Sequence, residues 1–218
     1  MTEWYLGDDW SQKTKEEFEQ KLKKSRGDYN KAQYLRIKGS SLLESKDPQK
    51  NEAGCELLNR VINEYPKEIS NVMFAYEQLG DYYFKQVDYT KAKNNYRQSI
   101  SFYKENGRSG SSGIGDVKLA ETIIKAGKSD DFLAMYHLLT DEFKKTGGAL
   151  TLNDDIFRYY SVLAKISDAI GKKDEAKAYA QKALQLTEIT KPQLDDYPRL
   201  GVVTVDKEEL GNLKSILA

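Results

Sequence analysis

The chain has 218 residues, and its 34 Lys and Arg balance 34 Asp and Glu, so the formal net charge is zero. Charges of both signs are interspersed, whereas a protein that binds a polyanion usually has a basic excess or a basic face, so we expect no nucleic-acid partner. No stretch approaches 18 apolar residues and the N-terminus lacks the pattern of a signal peptide, so we expect no membrane span and a cytoplasmic location.

Residues that often carry chemistry are scarce. Cys55 is the single cysteine, and we expect it to be a small half-buried apolar residue and not a nucleophile. His137, the single histidine, has no Cys, His or paired carboxylates in its helical register. Acidic neighbours such as Asp130 and Asp131 do not face each other on a helix, so they do not form a catalytic pair. We therefore expect no enzyme activity, no metal and no cofactor.

The first 30 residues predict an N-terminal cap. Trp4 and Trp10 lie among acidic residues and glycines, and such aromatic side chains can cover the open apolar end of a helical array. The alternative is that the tryptophans contact a partner. Thr14 followed by Glu17 fits a capping box, which predicts a helix start at Thr14.

The first predicted helix pair covers residues 31–66. Asp47-Pro48 marks its turn, because proline is tolerated at a helix start. Its second helix carries an apolar stripe at steps of four residues that begins at Ala53. Gly39 and Ala53 are then the small residues at the contact between the two helices.

The second predicted pair, residues 71–105, has the most regular spacing. Gly80 on its first helix and Ala92 on its second carry almost no side chain, so they allow the two backbones to approach closely. The volume around that contact is filled by larger residues, which are Tyr76, Leu79, Tyr83 and Tyr96.

A segment rich in glycine and serine, residues 106–116, follows and predicts a flexible linker or loop. A third, more divergent pair covers residues 113–146, and a fourth covers residues 155–190. In the tail, residues 191–218, Asp206 is the expected N-cap of a short helix that covers the fourth pair.

The small and aromatic residues of the second and fourth pairs resemble the tetratricopeptide repeat, a helix–turn–helix unit of 34 residues. The matching residues of the fourth pair are Tyr160, Leu163, Ala164, Gly171, Ala176 and Ala180. The resemblance implies an all-α fold, a right-handed superhelix of antiparallel helix pairs (a TPR-like α-solenoid) with capping segments at both termini. We expect a single domain over residues 1–218.

In that family the first helix of each pair lines a concave groove. The residues that the resemblance places there are Phe74, Glu77, Gln78, Asp81 and Phe84 of the second pair, Arg36 of the first, and Arg158 and Lys165 of the fourth. Two carboxylates between two phenylalanines favour a segment that carries Lys or Arg and apolar side chains. With the basic residues at its other end, the sequence predicts a bipolar groove.

The leading functional hypothesis is a non-catalytic scaffold that binds a peptide or protein in this groove. The chain also looks like bacterial tetratricopeptide proteins of unassigned role. The alternative is a bacterial immunity-type protein that occludes the active site of a toxin, because an acidic face can mimic an anionic substrate. A helical-repeat RNA-binding protein is a further class, and the sequence lacks the basic stripe it requires.

Overall fold

A computed structural model describes residues 3–127 and 129–218 of the chain. Across these two ranges the backbone forms helices and no strand, and consecutive helices pack as adjacent pairs, which confirms the predicted all-α class. The chain divides into two compact units, Met1–Ser112 and Gly113–Ala218. No helix of the described residues is both long and apolar enough to cross a membrane.

The first unit contains α1 (Gln12–Lys24), α2 (Asp28–Leu43), α3 (Pro48–Glu64), α4 (Ile69–Lys85), α5 (Tyr89–Ser101) and the single turn α6 (Tyr103–Asn106). The second unit contains α7 (Gly115–Lys125), a 3₁₀ turn (Ser129–Asp131), α8 (Phe132–His137), a π-helical turn (Leu138–Glu142), α9 (Phe143–Lys145), α10 (Asn153–Ala169), α11 (Lys173–Leu186) and α12 (Lys207–Leu217).

The contact between α4 and α5 depends on the missing side chain of Gly80. A Cβ atom at this position would lie 2.5 Å from the Tyr96 ring. Tyr96 is 2% exposed and its hydroxyl donates a hydrogen bond of 2.7 Å to Asp81. The tyrosine ring therefore lies directly against the α4 backbone, with Ala92 buried one turn before it on α5.

The equivalent contact between α2 and α3 joins two glycines. A Cβ at Gly54 would lie 2.8 Å from the carbonyl oxygen of Gly39. Ala53 is the predicted residue at this contact, and that prediction is wrong by one residue: Ala53 is only half-buried, whereas Gly54 is buried. Neighbouring small residues look alike in a periodic pattern, and only the direction of each Cα–Cβ bond separates them.

The N-terminal segment is fixed to α2 by a buried lysine. The Lys38 ammonium donates to the Gly7 carbonyl at 3.0 Å and lies 5.6 Å from the centre of the Trp10 ring. Burial lowers the pKa of Lys38. Trp4 and Trp10 both pack against Phe18 of α1, so the two tryptophans cover apolar surface of the first unit.

Helix caps show where local sequence signals succeed. Pro48 opens α3 with Asp47 as N-cap, and Asp206 caps α12 by accepting from the Glu209 backbone N–H at 2.7 Å. The Asp206 cap confirms the predicted start of α12, and α3 begins directly at the Pro48 of the predicted turn. The start predicted at Thr14 is wrong, because α1 begins at Gln12 and Ser11 is its N-cap.

In the second unit, the helix that follows α7 is divided into short pieces. The π-helical turn Leu138–Glu142 separates α8 from α9, where the sequence analysis expected one continuous helix. The Tyr159 hydroxyl of α10 donates to the Leu139 carbonyl at 2.9 Å. This bond satisfies a carbonyl within the widened turn, where the regular α-helical pattern is interrupted. The next pair, α10 and α11, is regular, and α12 packs on both helices.

We expect Gly80→Ala to lower the free energy of unfolding by about 1–3 kcal/mol, because the new methyl group overlaps the buried Tyr96 ring and forces it to shift. Gly211→Ala is the control, since a Cβ at this position of α12 meets no atom within 4 Å, and alanine favours a helix by roughly 0.5–1 kcal/mol over glycine. Urea denaturation measures both. A Gly80→Ala variant as stable as the wild type would contradict the close contact.

Candidate functional site

A half-buried arginine lies between α2 and α4 in the first unit. The Arg36 Nε donates to the Asn71 Oδ1 at 3.0 Å, and its guanidinium carbon lies 4.8 Å from the centre of the Phe74 ring. Gln78 follows Asn71 and Phe74 on the same side of α4 at spacings of seven and four residues. We call the surface formed by Arg36, Asn71, Phe74 and Gln78 the α2–α4 face.

The charge of Arg36 has no acidic partner. Within residues 3–127 and 129–218, no carboxylate forms an ion pair with its guanidinium. Burial lowers the pKa of Arg36, although a guanidinium stays charged at any physiological pH. Its charge is therefore partly removed from water, and the guanidinium contacts an amide and an aromatic ring.

Two further polar atoms of the α2–α4 face are buried without a hydrogen-bond partner. They are the Asn71 Nδ2 and the Gln78 Oε1. A buried donor or acceptor left unpaired costs about 1–3 kcal/mol. Seven residues of helix separate the two atoms by about 10 Å along the axis.

The two carboxylates of the predicted groove, Glu77 and Asp81, already form hydrogen bonds within the chain. Glu77 is 2% exposed and accepts from the Ser112 backbone N–H at 3.0 Å and from the Ser112 hydroxyl. Asp81 accepts from Tyr96. The family resemblance predicts Glu77 on an open groove wall, whereas the structure buries it under the segment that carries Ser112.

That segment was expected to be a flexible linker, and it is packed in place. The Arg108 guanidinium carbon lies 4.5 Å from the centre of the Tyr103 ring, and Arg108 is 9% exposed. Gly110 fits against Ser70 so closely that a Cβ would lie 2.3 Å from the serine Oγ. No local sequence signal indicates the contact of Gly110 with Ser70, because the two residues lie 40 positions apart.

The last predicted residue of α4, Phe84, is half-buried and packs near Tyr89, with 5.7 Å between ring centres. It lies ten residues beyond Phe74 and contacts the start of α5. The α2–α4 face as the structure shows it therefore contains Arg36, Phe74 and Gln78 of the predicted set.

The basic residues predicted in the second unit are paired within that unit. Arg158 donates two hydrogen bonds to Glu121 of α7, at 2.8 and 2.6 Å. Lys165 forms an ion pair with Glu209 of α12, which also accepts from Ser161. A bidentate arginine–carboxylate pair is among the stronger polar contacts in proteins. The charges of Arg158 and Lys165 are therefore already compensated within the second unit.

Sequence reasoning missed Asn71, although a signal was present. Asn71 lies three residues before Phe74 on the same helical side, so extending the predicted groove stripe by one turn would have included it. Glu121 and Glu209 were missed as well, and each lies on a helix that packs beside α10. Within the described part of the chain, no group of three or more His, Cys, Asp or Glu side chains is arranged to hold a metal ion.

Two stretches of the chain match the family model of the tetratricopeptide repeat, residues 75–106 and residues 157–190. The first begins within α4 and includes α5, and the second extends from α10 through α11. They are the two pairs whose small and aromatic residues gave the predicted resemblance. Among curated proteins, none matches the chain.

The contact between Glu77 and Ser112 leads to a prediction. In Glu77→Gln the charged carboxylate becomes a neutral amide, so its two hydrogen bonds with Ser112 are no longer charge-assisted. Because a hydrogen bond to a charged group contributes about 1.5–3 kcal/mol, we expect the Ser112 segment to open roughly tenfold more often. Trypsin cleavage after the buried Arg108 and amide hydrogen exchange over residues 107–113 measure this opening.

Glu105→Gln is the matched control, since Glu105 is exposed and lies close to the same segment. It removes one acidic charge without touching Ser112. Equal cleavage rates after Arg108 in both variants would show that Glu77 does not hold the segment.

Proposed function

We propose that this tetratricopeptide-repeat protein acts as a non-catalytic scaffold whose α2–α4 face binds a peptide or protein. Tetratricopeptide repeats are in general protein–protein interaction modules. Stacked helical repeats present extended surfaces of side chains, and such surfaces suit a polypeptide partner better than a small substrate.

The observation that carries this proposal is the uncompensated charge of Arg36. A half-buried cation loses part of its hydration and regains that free energy when a carboxylate binds it. The guanidinium has five N–H donors, and one of them is used by Asn71. A partner carboxylate can accept two of the remaining donors while an adjacent apolar side chain of the partner packs on Phe74.

The proposed partner segment is therefore acidic and apolar. The basic segment predicted from Glu77 and Asp81 has less support, because Glu77 is buried and Asp81 accepts from Tyr96. The toxin-inhibitor alternative depended on the same acidic face of α4, so these contacts give it no support either. A bipolar groove that includes Arg158 and Lys165 stays a prediction.

Affinity purification from the native host, with the chain as bait and mass spectrometry as readout, identifies the partner. Isothermal titration calorimetry then compares the wild type with Arg36→Gln. We expect the variant to raise the Kd roughly thirtyfold, since truncating one member of a buried charge pair costs about 2 kcal/mol or more.

Lys46→Gln is the control, because Lys46 is exposed in the same unit and has no role on the α2–α4 face. Its Kd should equal that of the wild type. We expect the melting temperature of Arg36→Gln to stay at or above the wild-type value, since the substitution removes a partly desolvated charge. A Kd unchanged by Arg36→Gln would contradict the proposed face.

A further inference from the structure

The second unit carries an apolar cleft that no predicted groove residue lines. Its volume is about 220 Å³. The cleft is lined by Phe143, Leu150, Ile156, Tyr159 and Tyr160, with the exposed Lys144 beside them. Phe143 is 4% exposed, and the other four apolar residues are half-buried. We call it the Tyr160 cleft.

One lysine lines the Tyr160 cleft, and a second lies near the ring of Tyr160. Lys144 lines it directly, and the Lys182 ammonium of α11 lies 5.1 Å from the centre of the Tyr160 ring and 6.0 Å from that of Tyr179. Neither lysine has a carboxylate partner among the described residues. No carboxylate lines the cleft, and the one charged residue in its lining is Lys144.

Nearby acidic residues already have partners. Glu142 forms an ion pair with Lys145 at 3.0 Å, and Glu175 forms one with Lys172 at 2.7 Å. The remaining positive charge beside the apolar surface therefore comes from Lys144 and Lys182. Surfaces with potentials of opposite sign steer and orient a partner as it binds.

We propose that the Tyr160 cleft docks an acidic segment of a partner protein and inserts one leucine or phenylalanine side chain between Lys144 and Lys182. The apolar side chain packs on Ile156 and Tyr160. Carboxylates on either side of it pair with the two ammonium groups.

The size of the cleft favours a single side chain. Pockets for small molecules usually measure 300–1,000 Å³, and this cleft is smaller. An aliphatic or aromatic anchor in a small pocket, with charges at the rim, is the common arrangement of an interface hot spot. A single-stranded nucleic acid also stacks on tyrosines near lysines, but its bases need a row of platforms along a basic groove.

The Tyr160 cleft is independent of the proposed function at the α2–α4 face. It belongs to the other unit, it shares no residue with that face, and it uses lysines where that face uses an arginine. One partner with two acidic segments, or two partners, can therefore engage the chain.

Fluorescence polarisation with a labelled heptapeptide, Glu-Glu-Glu-Leu-Phe-Glu-Glu, tests the proposal on the full chain. Two comparison peptides replace either the Leu-Phe pair by Ser-Ser or every Glu by Lys. We expect the parent peptide to bind about tenfold more tightly than either comparison peptide. Its affinity should also fall as salt rises, because the lysines are exposed to solvent.

Lys144→Glu and Lys182→Glu should each weaken the parent peptide about tenfold. Lys177→Glu is the control: it makes the same change of charge on α11, at an exposed residue outside the cleft, and should change the Kd about twofold at most. NMR spectra should show shifts of the Ile156 and Leu150 methyl signals on peptide addition.

The proposal fails if the parent peptide shows no saturable binding, if the Lys144→Glu and Lys182→Glu variants bind it as the wild type does, or if oligothymidylate binds the cleft more tightly. It also fails if Arg36→Gln abolishes binding of the peptide. That result would place the peptide on the α2–α4 face and would leave the proposed function standing.

Discussion

The contact between Tyr96 and the backbone of α4 at Gly80 sets the packing of α4 against α5 in the first unit. It fixes the distance between α4 and α5, because any larger residue at position 80 would push the buried ring away. It also brings the tyrosine hydroxyl to Asp81. The close packing of Tyr96 on Gly80 thus determines the hydrogen-bond partner of Asp81, a residue that the sequence pattern predicts on a binding surface.

Other charged residues of the predicted groove also have partners within the chain. In a chain of zero net charge, the residues available to a partner are those that remain after internal pairing. Glu77 is held by Ser112, Arg158 by Glu121, and Lys165 by Glu209. Among the residues that the structure describes, Arg36, Lys144 and Lys182 are positive charges beside apolar surface that form no ion pair.

The fold was predictable where the signal is local or repeats along the chain. Proline at a helix start, aspartate at an N-cap and the alternation of small and large residues in the two regular pairs each depend on a few neighbouring residues. The choice between Ala53 and Gly54 required the direction of side chains, which a stripe with a step of four residues does not resolve. The burial of Glu77 required a contact between residues 35 positions apart.

The candidate site was less predictable for the same physical reason. A helical stripe shows which residues share a side, and Phe74 and Gln78 were found in this way. It does not show which of them meets a partner from another helix or loop. Ser112 lies in a segment whose composition is typical of a linker. Only the structure shows that its backbone N–H and its hydroxyl donate hydrogen bonds to the Glu77 carboxylate.

The irregular part of the second unit explains why its cleft lies where it does. One extra residue in a π-helical turn rotates the following helix by about 100° relative to a continuous α-helix. The turn Leu138–Glu142 immediately precedes Phe143, whose ring lies 5.0 Å from that of Tyr159. The hydrogen bond from Tyr159 to the Leu139 carbonyl fixes this arrangement. The departure from a regular helix therefore directs Phe143 into the base of the Tyr160 cleft and places Lys144, the next residue, beside it.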